Sequence, residues 1–156
     1  AIDVSEGMIE KAKQKSENLD IDYRIMSASD LDFYENTFDS VLSVTAFEFI
    51  QNPKKAFHEI LRVAKPKSSI AIGTLHKNSS WGELYESEKF KNETIFKYAN
   101  LLSRKNLENF AADKLVKIEE CLHVDPTFIE EDYTFQNELK YKQNKPGGFI
   151  CGLWEK

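Results

Sequence analysis

The sequence predicts an α/β fold built on a mostly parallel sheet with helices layered against it. Three observations carry the prediction. Residues 36–50 read NTFDSVLSVTAFEFI, in which a turn feeds an apolar run of Phe38, Val41, Leu42 and Val44. Such a run, apolar without clean alternation, suits a central strand covered on both faces. Strand-like and helix-like segments alternate up to residue 75, and right-handed crossovers make a parallel, layered sheet the default arrangement. The closing segment 148–154, GFICGLW, reads as a last strand antiparallel to one at 115–124, because no periodic helical crossover separates the two.

A chain of 156 residues with 41% apolar side chains has material for one core that hides roughly two thirds of its unfolded surface. A single domain over residues 1–156 is expected. Charged residues make up 30%, the net charge is −5 and the pI is about 5.3. No global positive field gathers nucleic acid or an anionic membrane, so the expected partners are small ligands or proteins. Cys121 and Cys151 lack any metal-ligand spacing and read as reduced core thiols of a cytoplasmic protein. No apolar run approaches the ~20 residues that span a bilayer.

The elements come in order. Residues 1–4 form a strand end carrying Asp3, and Ser5 caps a helix to about Lys15 whose buried stripe is Met8, Ile9 and Ala12. A strand over 21–26 ends in the small polar loop Ser27-Ala28-Ser29-Asp30, and 32–37 is turn-rich. Beyond the carboxyl end of the 38–44 strand, Thr45, Phe47 and Glu48 lie where open α/β sheets bind ligands. Asn52 caps the clearest helix, with Pro53 at its first position and Ala56, Phe57, Ile60, Leu61 and Ala64 on one face. Pro66 stops that helix, and 69–75 is a second buried strand. Residues 76–92 are polar with interspersed aromatics, a long loop or lid, and 76–114 as a whole is a candidate substrate cap. Helical spacing returns at 94–102, and Ser103 caps a short helix that buries Leu107, Phe110 and Ala111. Residues 125–146 read as irregular.

Three stretches then match one family in order and spacing: DVSEGMIEKAK, SASDLDFYENTFDSVLSV and NPKKAFHEILRVAKPKSSIAI. Over residues 1–75 the chain resembles the class I S-adenosylmethionine-dependent methyltransferases that act on small molecules. The resemblance implies their Rossmann-like sheet, S-adenosylmethionine as cofactor and methyl transfer to a small-molecule acceptor. It places Asp3 as the acid that accepts from both ribose hydroxyls, a geometry in which one carboxylate serves a vicinal diol. Met8 is set to cover an adenine face or, alternatively, to line the buried side of its helix. Ser27 and Ala28 occupy the adenine loop, with Ser27 where the family commonly has aspartate and Asp30 as a substitute acceptor. Thr45 stands beside the methionine portion of the cofactor.

Methyl transfer from a sulfonium needs no obligatory acid, and a base helps only when the acceptor carries a proton. His76 is the best-placed base, and its alternative reading is a solvent-facing loop residue. Trp81 and Tyr85 either wall an acceptor or pin the loop. Two departures from the family accompany these matches. Lys67-Ser68 stands where two glycines are usual, and the glycine-rich loop that succeeds the family's first strand has no equivalent in the sequence. About 40 further residues upstream are therefore expected, the size of a βα unit with a leader. Without that strand, residues 1–4 and 38–44 lack their shared neighbour, and the incomplete sheet offers two copies a surface to associate through. The rival readings are a non-catalytic scaffolding domain and a nicotinamide-dependent oxidoreductase, whose ribose is also held by a strand-end acid.

Overall fold

A computed structural model describes all residues from 1 to 156. It is an α/β structure with the strands in two groups. β1 (Ile2–Asp3) and β2 (Arg24–Ile25) form a parallel pair, with α1 (Glu6–Lys15) between them in sequence. The second group has the order β3 (Phe38–Val44), β4 (Ala64–Leu75), β6 (Phe149–Glu155), β5 (Leu115–Cys121). β3 and β4 are parallel, and β6 runs antiparallel to both β4 and β5. The α/β class and the mostly parallel sheet with an antiparallel last strand hold.

The core lies on one face of the four-stranded sheet. Ile70, Ile72, Thr74, Ile150 and Trp154 on that face are fully buried. Against them pack Ala56, Phe57, Ile60 and Val63 of α2 (Pro53–Val63) and Leu107 of α5 (Arg104–Glu108). The Phe57 ring meets Trp154 edge-on at 4.9 Å and stacks on Phe110 at 5.1 Å, arrangements that aromatic quadrupoles favour. Gly152 makes this possible, since a Cβ there would run into the Trp154 ring. α2 forms as its sequence dictates: Asn52 Oδ1 accepts from Lys55 N–H, and Pro53 occupies the first turn.

Several expectations are corrected. β3 is an edge strand with one bare face, because it pairs only with β4 and no helix covers Leu42 and Val44, which are 73% and 55% exposed. The strand expected from residue 69 begins at Ala64, directly after α2. A register shift between Phe38 and Ser40 and a positive φ of 65° at Lys67 absorb the extra residues. Residues 76–92 are not an irregular loop. α3 (Ser80–Glu86) and α4 (Glu88–Glu93) are capped by the hydroxyls of Ser79 and Ser87. Residues 95–98 form a 3-10 turn rather than a buried helix, and Ile95 is 66% exposed. The irregular 125–146 segment contains α6 (Phe135–Tyr141), capped by Thr134. Cys121 is exposed rather than a core thiol.

Candidate functional site

β3, β4 and β5 end at the same side of the sheet, where β6 begins. The backbone there is unusual twice. Thr45 succeeds β3 with φ 50° and Leu122 succeeds β5 with φ 66°. A β-branched residue in that region is costly, and such strain gathers where a chain must present groups to a ligand. Thr45 is exposed, its N–H donates to Gly73 O at 2.9 Å, and its hydroxyl turns back to Val44 O.

The sequence marks Glu48 only by its position, yet its environment is the least ordinary in the molecule. It lies in the 3-10 turn Phe47–Phe49 and is 1% exposed. One carboxylate oxygen, Oε2, accepts from Thr74 Oγ1 at 2.8 Å, and Oε1 has no partner. Burial pushes its carboxyl above the usual carboxylate range. Its carbonyl accepts from Asn100 N–H at 2.7 Å, which ties the turn to the segment before α5.

His76 is not a solvent-facing residue. It is 4% exposed at the end of β4, with its N–H on Gly148 O. Nδ1 lies 3.1 Å from Gly147 O. A carbonyl only accepts, so Nδ1 carries the proton and Nε2 is left as the accepting nitrogen. Glu120 Oε2 sits 3.9 Å from Nδ1 and accepts from Gly147 N–H at 3.0 Å, while Oε1 takes the Arg104 guanidinium at 2.9 Å. Desolvation by burial opposes ionisation of Glu120, but the Gly147 N–H and Arg104 outweigh it and hold the carboxyl below its ordinary value. Gly147 is required where it stands, because a Cβ would strike the Cys121 backbone.

Trp81 and Tyr85 lie on α3 inside an aromatic cluster. Tyr85 stacks on Phe96 at 4.6 Å and meets Phe90 edge-on at 5.1 Å, Phe96 lies 5.7 Å from Phe49, and Trp81 Nε1 donates to Val124 O at 2.7 Å. They pin α3 to the sheet end, so packing is the role the structure displays.

The remaining sequence-predicted residues sit on the other strand group. Asp3 ends β1, with Oδ1 accepting from Ser5 N–H at 2.8 Å and Oδ2 free of protein partners. Register pairs Asp3 with Ile25, so Asp3 lies beside the loop of Ser27 and Ala28. Ser27 Oγ accepts from Ser29 N–H at 3.2 Å and retains a second lone pair. Met8 is 55% exposed, which overturns its place in the buried stripe; Ile9 alone of α1 is buried. Asp3, Met8, Ser27 and Ala28 are therefore together on the β1–β2 side, and Thr45 and His76 are together on the β3–β4 side. No strand pairing joins the two groups.

A sequence profile described as a methyltransferase domain matches residues 1–72. An uncharacterised protein of Methanocaldococcus jannaschii is 32% identical over 158 residues, covering 99% of this chain and 72% of that protein. A demethylmenaquinone methyltransferase of Renibacterium salmoninarum is 36% identical over 72 residues, 46% of this chain and 30% of that enzyme. Residues 1–72 carry a methyltransferase domain. A crystal structure from Thermotoga maritima, of a SAM-dependent methyltransferase and possible histamine N-methyltransferase, superposes with a TM-score of 0.75 at 22% identity. It covers 99% of this chain and 72% of that one, and shows a common fold. The methyltransferase-domain match over residues 1–72 replaces the nicotinamide reading. No helix is long and apolar enough to cross a membrane.

Proposed function

We propose that this chain forms part of an S-adenosylmethionine site shared by the two strand groups, and that the whole protein transfers a methyl group to a small-molecule acceptor. The observation that carries the reading is the β1–β2 register, which sets a half-free carboxylate, Asp3, beside the Ser27–Ala28 loop. The donor set suits the cofactor. A carboxylate with one open oxygen fits a ribose diol, and an exposed thioether at Met8 fits an adenine face.

When bound, S-adenosylmethionine supplies an electrophilic methyl on a sulfonium. The chain's own residues position and exclude. Asp3 and the 27–28 loop hold the nucleoside end, and Thr45 marks the far end. α3 and α4 close over the sheet with their aromatic cluster, excluding water from the acceptor side. His76 accepts a proton at Nε2 from an acceptor that carries one, since Gly147 O keeps the proton on Nδ1.

Thermal unfolding with millimolar S-adenosylhomocysteine tests the reading, on this chain and on a chain extended upstream through the expected glycine-rich segment. At ~100 times the dissociation constant a ligand stabilises by about 2.7 kcal/mol, several degrees for a domain of this size. Stabilisation is expected in the extended chain at least. No shift in either, with both cooperatively folded, defeats the reading in favour of a non-catalytic scaffolding domain.

A further inference from the structure

No hydrogen bond joins residues 1–26 to the rest of the chain; their hydrogen bonds are internal, such as Met26 N–H to Asp3 O and Tyr23 to Ser16. The two strand groups are therefore registered through the segment between β2 and β3. There the backbone is gripped by two side chains of α2. Leu31 N–H donates to Glu59 Oε2 at 3.0 Å. The Arg62 guanidinium donates to Leu31 O and Phe33 O, both at 2.7 Å, and to both oxygens of Glu59 at 2.8 Å. Three backbone groups within three residues thus close on one fork-and-carboxylate pair, a geometry that only a planar, multidentate guanidinium supplies. Leu31 is buried and Ala28 packs on the core, so the grip is tied to the adenine loop by a short, turned segment in which Asp30 N–H donates to Ser27 O.

We propose that Glu59 and Arg62 are positioning residues for adenine recognition. They fix the height and direction of residues 27–33, and so aim Ser27, Ala28 and Asp30 at the base. This rests on the reading that the 27–28 loop faces adenine. The pair touches no cofactor atom; it acts through the loop, and it is the polar link to α2 nearest the adenine loop, the next being the backbone bonds of Asn36 N–H to Arg62 O and Thr37 N–H to Val63 O.

The experiment compares S-adenosylhomocysteine with S-inosylhomocysteine, which has an oxo group in place of the adenine amino group and is otherwise identical. Affinities are measured by calorimetry for the wild-type protein and for Arg62→Lys, with Glu59→Gln as a second variant should the first fail to fold. Hydrogen exchange of amides 27–33 is tracked in the free proteins. The wild type is expected to prefer the adenine ligand by about tenfold or more, as when a hydrogen-bonding group is left unpaired. In Arg62→Lys the preference falls toward unity, and the 27–33 amides exchange about tenfold faster while those of β4 and β6 are unchanged. A variant that loses affinity for both ligands equally and keeps the preference overturns the proposal, because that is what general destabilisation does. A wild type that binds both ligands equally also overturns it. Failure of the wild type to bind either ligand defeats the cofactor reading itself, an outcome distinct from the other two.

Discussion

Glu48 and Thr74 share one hydrogen bond, 2.8 Å long, at the buried end of the sheet, and the other Glu48 oxygen has none. An ionised carboxylate there is under-solvated. Its folded pKa lies above the unfolded value, so the destabilisation is absent well below pH 4.5, where both states are protonated. It grows as pH rises through the unfolded value and is complete above the folded one. Glu48→Gln is therefore expected to be about 1 kcal/mol more stable than wild type at pH 8 and to lose that advantage toward pH 4. Chemical denaturation at the two pH values measures it.

Glu59 has the opposite sign. The Arg62 hydrogen bonds, then the Leu31 N–H, hold its carboxyl down to about 2 from the usual 4.5. Its contribution is fully present above pH 4.5 and is lost as pH falls toward 2. Arg62 is 37% exposed, so solvent screening keeps the effect modest. The stability difference between wild type and Glu59→Gln is expected to close over that window.

Asp3→Asn keeps the β1 strand and, through its remaining carbonyl, the turn to Ser5. It exchanges a charged acceptor for a neutral one. Loss of a charge-assisted bond predicts about tenfold weaker binding of S-adenosylhomocysteine, with the melting temperature of the free protein nearly unchanged. Calorimetry beside a thermal scan separates the two effects.

Gly147→Ala forces a Cβ against the Cys121 backbone and moves the carbonyl that fixes the His76 proton. Overpacking of this kind costs about 1–3 kcal/mol. The imidazole nitrogen shifts of His76 are expected to show pure Nδ1–H tautomer in wild type and a mixture in the variant.

The free edge of β3 and its bare face, with Leu42 and Val44, form a template for pairing with a second copy. Sedimentation velocity is expected to show association that grows with concentration, and Leu42→Lys is expected to suppress it. A monomer at all concentrations argues against the homo-oligomer.

Local rules make most of the fold readable. Asn52-Pro53 announces α2, Ser103 announces α5, and the apolar runs announce β3, β4 and β6. Ser79 and Ser87 are equally good caps, yet α3 and α4 escape a sequence reading because polar residues with scattered aromatics lack a clean apolar stripe. Those helices are stabilised by a ring cluster drawn from Phe49 and residues 81–96, distant in sequence. Met8 turns outward against expectation because an α1 stripe of Ile9 and Ala12 is too narrow to fix which neighbour turns inward. At the site, motif order alone picks out Asp3 and the 27–28 loop. It does not reveal the burial of His76 and Glu48, which depends on Gly147 and Thr74 arriving from 71 and 26 residues away.

The separation of the strands into two groups also has a mechanical side. One plate carries Asp3 and the adenine loop, the other carries Thr45 and His76, and the polar fastening nearest the adenine loop is the Arg62–Glu59 grip on Leu31 and Phe33. Any molecule gripping both plates acts as a further fastener, and each added fastener removes rotation. The stiffness of this protein should therefore depend on occupancy far more than its melting temperature does, and slow bending between the plates should fade as cofactor binds.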